Sequence, residues 1–199
     1  MGAQADLFAN PTPESGGPAS RGRLPEGFAY AQEWLGPAQQ QELIARISRL
    51  DLQPFEFQGW LGRRRVAYFG WSYDFARGRA EPAAPFPSFL LPLRQGAAAF
   101  AGVETEAFVH ALVSAYPAGA GIGWHRDRPQ FGVVAGVSLG SACPLRLRLR
   151  TPGGFERAQL MLAPGSIYRL DGPARWSWEH SIAPVTEPRW SITFRTLKP

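Results

Sequence analysis

Residues 189–195 read Arg-Trp-Ser-Ile-Thr-Phe-Arg, and polar and apolar side chains alternate through the whole segment. Successive side chains of a β-strand point to opposite faces, so Arg189 and Arg195 are predicted to share one face with the two hydroxyl residues between them. The other face is apolar. Burial of a polar strand face is costly unless a charged group is bound there. The segment therefore predicts a buried strand that lines an anion site.

A second pattern concerns histidine and aspartate. His125 and Asp127 are two residues apart, so on a strand they point to the same side while Arg126 points away. His180 is predicted to return to them across the fold as a third ligand. Two imidazoles and one carboxylate on one side of an ion suit non-haem Fe(II), because the opposite positions stay open for a co-substrate and dioxygen. The remaining histidine, His110, lies in an apolar surround and is expected to be structural.

Length and composition indicate one globular domain. The chain has 199 residues, 45% of them hydrophobic, which is enough for a sizeable core. The lone Cys143 permits no intrachain disulfide, and neither a signal pattern nor an apolar run of membrane-spanning length is present. We expect a cytoplasmic monomer with no membrane partner.

The charge balance is basic. The net charge is +5, the sequence pI is about 10.0, and Lys198 is the only lysine, so almost all the positive charge is arginine. Arginine matches phosphates bidentately and stacks on bases, which fits a polyanionic partner such as nucleic acid. Codon bias in the source genome explains an arginine-rich composition equally well, so the charge alone does not decide.

The first half of the chain predicts a leader followed by helices. Residues 1–24 lack hydrophobic periodicity and are rich in proline and glycine, which predicts a flexible leader before a single domain at 25–199. A strand is predicted at 28–34 and a helix from Pro37 onward, with apolar residues recurring on one face. A second short helix is predicted at 89–100, interrupted near Pro92.

Short strand-like segments separated by turn signals fill the second half. They are predicted at 108–116, 132–139, 145–150, 159–162, 166–170, 176–182 and 190–196. This spacing indicates a mainly β fold with flanking helices, namely a jelly-roll barrel with an N-terminal helix. In 145–150 leucine alternates with arginine, so the leucines are predicted to face inward. The outward row Arg146, Arg148 and Arg150 fits phosphate contacts and equally a charged strand that resists edge pairing.

The order of these residues resembles the AlkB family of Fe(II)/2-oxoglutarate dioxygenases. The match consists of His-x-Asp at 125–127, a distal histidine at 180 and Arg-x-Ser-x-x-x-Arg at 189–195. It extends to Tyr-Pro-Ala-Gly at 116–119 and Gly-Val-Ser-Leu-Gly at 136–140. A lone His-x-Asp is weak evidence for a family, whereas these motifs in this order are strong evidence. The resemblance implies a double-stranded β-helix whose catalytic β-roll covers about 108–197.

The resemblance also implies an enzyme that uses Fe(II), 2-oxoglutarate and dioxygen. His125, Asp127 and His180 would be the catalytic iron ligands. Arg189 would pair with the far carboxylate of 2-oxoglutarate, and Arg195 would lie nearer its C1 end and the metal. The other cofactor-binding residues would be Tyr116, Ser114 and Ser191.

The segment 53–80 is aromatic and basic, and the corresponding region of the resembled family forms a substrate-recognition lid. Rings stack on an unstacked base while arginines follow the phosphates, which suits nucleic-acid binding. The candidate substrate-binding residues are Arg65, Tyr68, Phe69, Trp71, Tyr73 and Trp124. The competing interpretation is an amphipathic hairpin whose aromatics fill the core and whose arginines are solvated.

The implied reaction is oxidative N-demethylation of alkylated bases in single-stranded DNA or RNA, or of a flipped base, with release of formaldehyde, succinate and carbon dioxide. Aromatic faces would favour the cationic bases N1-methyladenine and N3-methylcytosine. Pro129 stands where the best-understood base-repair member of the family has an acidic residue that meets the base, so the base identity stays open. The alternatives are an oxygenase acting on a protein or small molecule and a non-catalytic nucleic-acid binder.

Overall fold

The computed structural model describes residues 20–57, 60–74, 79–82 and 84–198. Its α-helices are α1 (Pro37–Ile47), α2 (Leu91–Ala101) and α3 (Gly172–Trp176). Its strands are β1 (Ser20–Arg21), β2 (Phe28–Ala31), β3 (Gln53–Phe57), β4 (Trp60–Asp74), β5 (Arg79–Pro82), β6 (Phe108–Tyr116), β7 (Ile122–His125), β8 (Phe131–Gly140), β9 (Cys143–Thr151), β10 (Gly154–Leu162), β11 (Ile167–Leu170), β12 (Glu179–Ile182) and β13 (Arg189–Leu197). Short 3-10 helices at Ser88–Leu90 and Thr105–Ala107 flank α2.

Two antiparallel sheets carry the fold. The major sheet has the order β2-β11-β8-β13-β6-β4-β3, with β5 paired to β4, and the minor sheet has the order β1-β10-β9-β12-β7. An apolar cluster between them joins Val134 and Leu170 of the major sheet to Leu145 and Leu160 of the minor sheet. The mainly β jelly roll predicted from the strand spacing is confirmed.

Helices α1 and α2 cover the other face of the major sheet. Ile47 of α1 and Leu93 of α2 belong to one buried cluster with Val113 of β6 and Phe194 of β13. As predicted, α1 begins at Pro37, in the first turn where the missing N–H costs nothing. The major sheet therefore has an apolar, helix-covered face and a second face that looks toward the minor sheet.

Three secondary-structure predictions are wrong in detail. The strand predicted at 28–34 ends at Ala31, and the backbone turns through Glu33, whose φ is 54°. Pro92 does not interrupt α2 but lies in its first turn. The strand predicted at 176–182 shortens to β12, because Asp171 caps Gly172 and a short helix, α3, takes up the residues before it.

The predicted leader and lid lie partly outside the described residues. Residues 1–19 of the leader are not described, and Ser20–Arg21 within it pairs with β10. Within the lid segment, β4 pairs with β6 from Arg65 to Gly70 and is part of the major sheet. Residues 58–59 and 75–78 of the predicted lid lie outside the described residues. No helix in the described ranges is long and apolar enough to cross a bilayer.

Candidate active site

The two candidate metal-binding histidines lie opposite each other in the minor sheet. His180 of β12 pairs in register with His125 of β7, and the two ring centroids are 4.2 Å apart. The Nδ1–H of His125 donates to the carbonyl of Gly123 at 2.9 Å, which leaves Nε2 free as a ligand. Burial and the neighbouring His125 lower the pKa of His180 to about 3, so its imidazole is neutral and has a lone pair to offer.

Asp127 completes the group and is held by Arg195. The ligand atoms of His125, Asp127 and His180 all lie within 4.8 Å of one another. Arg195 Nη2 donates to Asp127 Oδ1 at 3.0 Å. Burial, the largest single influence, would raise the pKa of Asp127, but the Arg195 guanidinium with its hydrogen bond and the neighbouring His180 and His125 together hold that pKa far below its usual range. The carboxylate therefore stays ionised, with its second oxygen available to a cation.

His110 lies behind Arg195 and outside the ligand group. Its Nδ1 is 3.4 Å from Arg195 Nη1, and it is 3% exposed. Burial, together with the Arg195 charge, lowers the pKa of His110 to about 3, so the neutral ring can accept from the guanidinium. Arg195 thus bridges Asp127 to a neutral histidine, which fixes the orientation of the candidate metal-binding carboxylate.

At the opposite end of the same strand face, Arg189 lies 1% exposed. Its Nε donates to Ser138 Oγ at 3.2 Å, and its guanidinium lies 4.8 Å from the centre of the Tyr116 ring. Its Nη1 is buried and has no hydrogen-bond partner among the described residues. A buried guanidinium nitrogen without a partner is costly, so this geometry indicates a site for an acceptor that enters from outside the chain.

Tyr116 and Ser191 lie beside this unpaired donor. Burial would raise the pKa of Tyr116, but the positive charges of Arg64 and Arg189 and hydrogen bonds from Arg64 and Ser191 lower it. Ser191 pairs across the sheet with Ser114 and Ser138, which places three hydroxyl groups in one row. The five residues predicted to bind 2-oxoglutarate, including Arg195, all line one cavity.

That cavity has a volume of about 600 Å³ and lies between the two sheets. The metal-ligand group lines it from the minor-sheet side, and the polar face of β13 lines it from the major sheet. Its apolar walls include Leu112, Leu145 and Ile182. One space therefore contains both the three candidate metal ligands and the two buried arginines, as the sequence patterns predicted.

The predicted substrate residues are divided between two faces of β4. Tyr68 pairs with Leu112 and lines the cavity, whereas Arg65 and Phe69 pair with Ala115 and Ala111, on the face covered by helices. Phe69 is buried in that core, and Arg65 Nε donates to the carbonyl of Leu52. The structure thus places Arg65 and Phe69 away from the cavity, because adjacent strand residues point in opposite directions.

Of the other predicted substrate residues, Trp124 lines the cavity and Trp71 does not. Trp71 is 38% exposed and is not among the residues that line the cavity. The side chain of Tyr73 lies outside the described part of the chain. Trp124 lines the cavity, and the Arg148 guanidinium lies 4.5 Å from the centre of its ring.

Sequence reasoning missed two cavity residues, Phe55 and Arg64. Arg64 is 7% exposed and lies on the same β4 face as Tyr68, with its guanidinium 4.1 Å from the centre of the Phe55 ring. Both residues belong to the aromatic and basic segment 53–80. Only the register of β4 against β6 distinguishes Arg64 from its neighbour Arg65 as a cavity residue.

Arg175 is a further residue whose role the sequence did not reveal. Its buried side chain donates to the carbonyls of Gly132 at 2.9 Å, Arg128 at 2.6 Å and Phe131 at 2.7 Å. The Arg128 carbonyl lies in the turn that follows Asp127, and the Phe131 and Gly132 carbonyls lie at the start of β8. Arg175 therefore ties this turn and the start of β8 to α3, five residues before His180.

The outer side of the minor sheet carries an arginine face, defined here as Arg146, Arg148, Arg150 and Arg157. Arg148 and Arg157 are cross-strand partners, and the guanidiniums of Arg148, Arg150 and Arg157 lie 4.4, 5.3 and 5.4 Å from the Phe155 ring. Glu179 neutralises Arg148 through a contact of 2.6 Å. Arg146 and Arg148 lie 5.3 and 4.5 Å from the ring centre of Trp124, which lines the cavity, so the arginine face adjoins the cavity.

Comparisons with known proteins identify one superfamily of enzymes. The family model of the 2OG-Fe(II) oxygenase superfamily matches residues 27–195. The chain is 23% identical over 196 residues to uncharacterized protein L905 of Acanthamoeba polyphaga mimivirus, covering 86% of this chain and 85% of that protein. It is 24% identical over 169 residues to mouse tRNA (carboxymethyluridine(34)-5-O)-methyltransferase ALKBH8, covering 81% of this chain but 25% of that longer protein.

Solved structures share the fold. The structure of OsALKBH1 superposes with a TM-score of 0.63 at 16% identity, covering 87% of this chain and 98% of that one. A prolyl-4-hydroxylase from Pseudomonas putida superposes with a TM-score of 0.58 at 17% identity, covering 87% of this chain and 93% of that one.

The cofactors that this family uses fit the residues present. The His125, Asp127 and His180 donors form the two-imidazole, one-carboxylate set that suits Fe(II), and the unpaired Arg189 Nη1 suits a carboxylate of 2-oxoglutarate. When bound, iron and 2-oxoglutarate supply oxidative chemistry that consumes dioxygen and converts 2-oxoglutarate to succinate and carbon dioxide. The chain belongs to the 2OG-Fe(II) oxygenase superfamily, and it is an AlkB-like dioxygenase.

Proposed function

We propose that this enzyme removes N-methyl groups from bases of DNA or RNA. One oxygen atom of dioxygen enters succinate, and the other enters the methyl group, whose hydroxymethyl product leaves as formaldehyde. Every atom of 2-oxoglutarate, dioxygen and the methyl group is then accounted for in succinate, carbon dioxide, formaldehyde and the demethylated base.

Different residues of the chain would position 2-oxoglutarate, the metal and the base. Arg189 would hold the far carboxylate of 2-oxoglutarate with its unpaired Nη1, assisted by the hydroxyl groups of Tyr116 and Ser191. Arg195 keeps Asp127 ionised and oriented for the metal. The apolar residues of the cavity wall would limit water around the reacting methyl group, and the partly exposed Tyr68 would offer an aromatic surface to the base.

The observation that carries the choice of nucleic acid is the arginine face and its continuity with the cavity. Guanidiniums that surround Phe155 and Trp124 match phosphates, and exposed strands of nucleic acid bind such surfaces through charge and stacking. The net charge of +5 acts in the same direction. The name of one relative, the tRNA methyltransferase ALKBH8, also refers to a nucleic acid.

The test is an assay of formaldehyde release from methylated single- and double-stranded DNA and RNA oligonucleotides. Release that depends on both Fe(II) and 2-oxoglutarate supports the proposal. A parallel arm measures succinate formation with peptides and small metabolites in place of oligonucleotides. Stimulation in that arm, with none by any oligonucleotide, would assign the same iron chemistry to a protein or small-molecule substrate.

A further inference from the structure

We infer that Arg64 is a positioning residue of the 2-oxoglutarate site and that it acts through the hydroxyl group of Tyr116. Arg64 belongs to β4, a strand outside the sequence motifs that indicate the iron and 2-oxoglutarate sites. The inference rests on the part of the proposed function that places the far carboxylate of 2-oxoglutarate at Arg189 and Tyr116. It does not depend on which substrate the enzyme oxidises.

The side chains of Arg64, Tyr116 and Arg189 lie side by side across three neighbouring strands of the major sheet. In the register of β4 against β6, Arg65 lies opposite Ala115. The preceding residue, Arg64, therefore lies beside Tyr116, which pairs with Arg189 of β13. All three side chains line the cavity, with exposed fractions of 7, 3 and 1%. Cross-strand neighbours on one sheet face contact each other directly, so Tyr116 is held between two guanidiniums.

The hydroxyl group of Tyr116 receives hydrogen bonds on its oxygen from Arg64 and Ser191. The guanidinium carbons of Arg64 and Arg189 lie 5.8 and 4.8 Å from the centre of its ring. A phenol oxygen has two lone pairs and one O–H, so two incoming donors leave the O–H to point to another acceptor. They also polarise the O–H and strengthen it as a donor. Tyr116 is thus prepared to donate to a carboxylate that binds at the unpaired Nη1 of Arg189.

Arg64 is itself held in place by Phe55. Its guanidinium carbon lies 4.1 Å from the centre of the Phe55 ring, and a stacked, planar guanidinium loses little further freedom when it donates a hydrogen bond. Among the described residues, no carboxylate lies within ion-pair distance of Arg64. Its charge therefore adds to that of Arg189 where dianionic 2-oxoglutarate would bind. The competing interpretation, in which Arg64 only packs on Phe55, predicts no effect on 2-oxoglutarate.

The test is a double-mutant cycle on the affinity for 2-oxoglutarate. Calorimetric titration measures the Kd with Mn(II) in place of Fe(II) and without dioxygen, so that no turnover occurs. We expect Arg64→Gln and Tyr116→Phe each to weaken binding about tenfold. The double variant should bind at most about twofold more weakly than Tyr116→Phe alone, because Arg64 acts through the missing hydroxyl. Losses that multiply in the double variant, or an unchanged Kd in either single variant, overturn the inference.

Two controls separate positioning from a general effect on the fold. Arg65→Gln removes the same charge from the adjacent position, but Arg65 donates to the Leu52 carbonyl and faces away from the cavity, so the Kd should not change. Oxalate chelates a metal but has no far carboxylate, so Arg64→Gln should change its Kd by less than about twofold. An equal loss of affinity for oxalate, or an equal loss in Arg65→Gln, overturns the inference.

The result is independent of the nucleic-acid assay, because no oligonucleotide is present. Failure of the cycle leaves the proposed demethylation standing, and the absence of formaldehyde release from every oligonucleotide leaves the role of Arg64 standing. If Arg64→Gln fails to fold, Arg64→Lys takes its place in the cycle. This variant keeps the charge but loses the planar fork, so a smaller loss is expected, which must again disappear in the Tyr116→Phe background.

Discussion

The imidazoles of His125 and His180 lie opposite each other on neighbouring antiparallel strands, with ring centroids 4.2 Å apart. We expect His180→Ala to lose tight binding of one Fe(II) per chain and to abolish turnover, because two remaining ligands hold a divalent ion poorly. Equilibrium dialysis, or Co(II) absorption as a probe, measures the stoichiometry. Glu42→Ala, on the exposed side of α1, is the control, since Glu42 lies far from the ligand group. Full metal binding by His180→Ala would show that His180 is not a metal ligand.

Arg189→Gln tests the buried donor at the other end of β13. Loss of a charge-assisted pair with the far carboxylate should raise the KM for 2-oxoglutarate about a hundredfold, with a smaller change in kcat at saturation. Steady-state kinetics and calorimetric titration of 2-oxoglutarate measure the effect. Arg150→Gln, on the exposed outer face, should leave both values unchanged. A large fall in kcat with unchanged KM would contradict the assigned role.

Arg175→Met tests how the turn after Asp127 is held. The three carbonyls that Arg175 satisfies would lose their donor, so we expect a loss of about 3 kcal/mol in the free energy of unfolding and weaker Fe(II) binding. Denaturant unfolding and metal titration measure the two effects. Arg126→Met removes a single exposed bond to the Trp176 carbonyl and should change the stability by less than about 0.5 kcal/mol. Equal losses of stability in both variants would show that the three hydrogen bonds of Arg175 do not hold the segment after Asp127 in place.

The arginine face predicts a separable effect on nucleic-acid binding. The double variant Arg150→Glu, Arg157→Glu should weaken oligonucleotide binding and reduce the dependence of log K on log salt by roughly one for each phosphate that the protein no longer neutralises. Affinity for 2-oxoglutarate should not change. Charge reversal at Arg46 and Arg49, near the end of α1, gives the same net charge on a different surface and serves as control. A similar loss of oligonucleotide affinity in the control would show that the net charge of the protein, and not the arginine face, attracts the nucleic acid.

The sequence predicts the position of a site residue correctly where strand alternation determines the sheet face to which its side chain points. The alternation in 189–195 gives the buried polar face. His125 and Asp127 do come together, but β7 ends at His125 and Asp127 lies in the segment after it, so a shared strand face is not the reason. Local pattern does not reveal which strand lies beside which. Arg64 and Arg65 are indistinguishable until the register of β4 against β6 is known, and for that reason the pattern alone places Arg65 and Phe69 on the wrong face.

Short-range competition explains the remaining differences. The residues before β12 have a strand-like composition, but the Asp171 cap and the proline in the first turn make a helical turn the better solution. The three carbonyl partners of Arg175 lie more than forty residues away in sequence. Its role depends on tertiary structure and cannot be read from neighbouring residues.

The position of β7 at the edge of the minor sheet has a consequence for the stability of the protein in the cell. This four-residue strand is joined to β12 at His125 and Ile122, with an irregular register between them. An ion bound by both His125 and His180 would act as a crosslink between β7 and β12, as a disulfide does between two segments. Without such an ion, β7 would separate from β12 more easily than the inner strands of the minor sheet separate from each other.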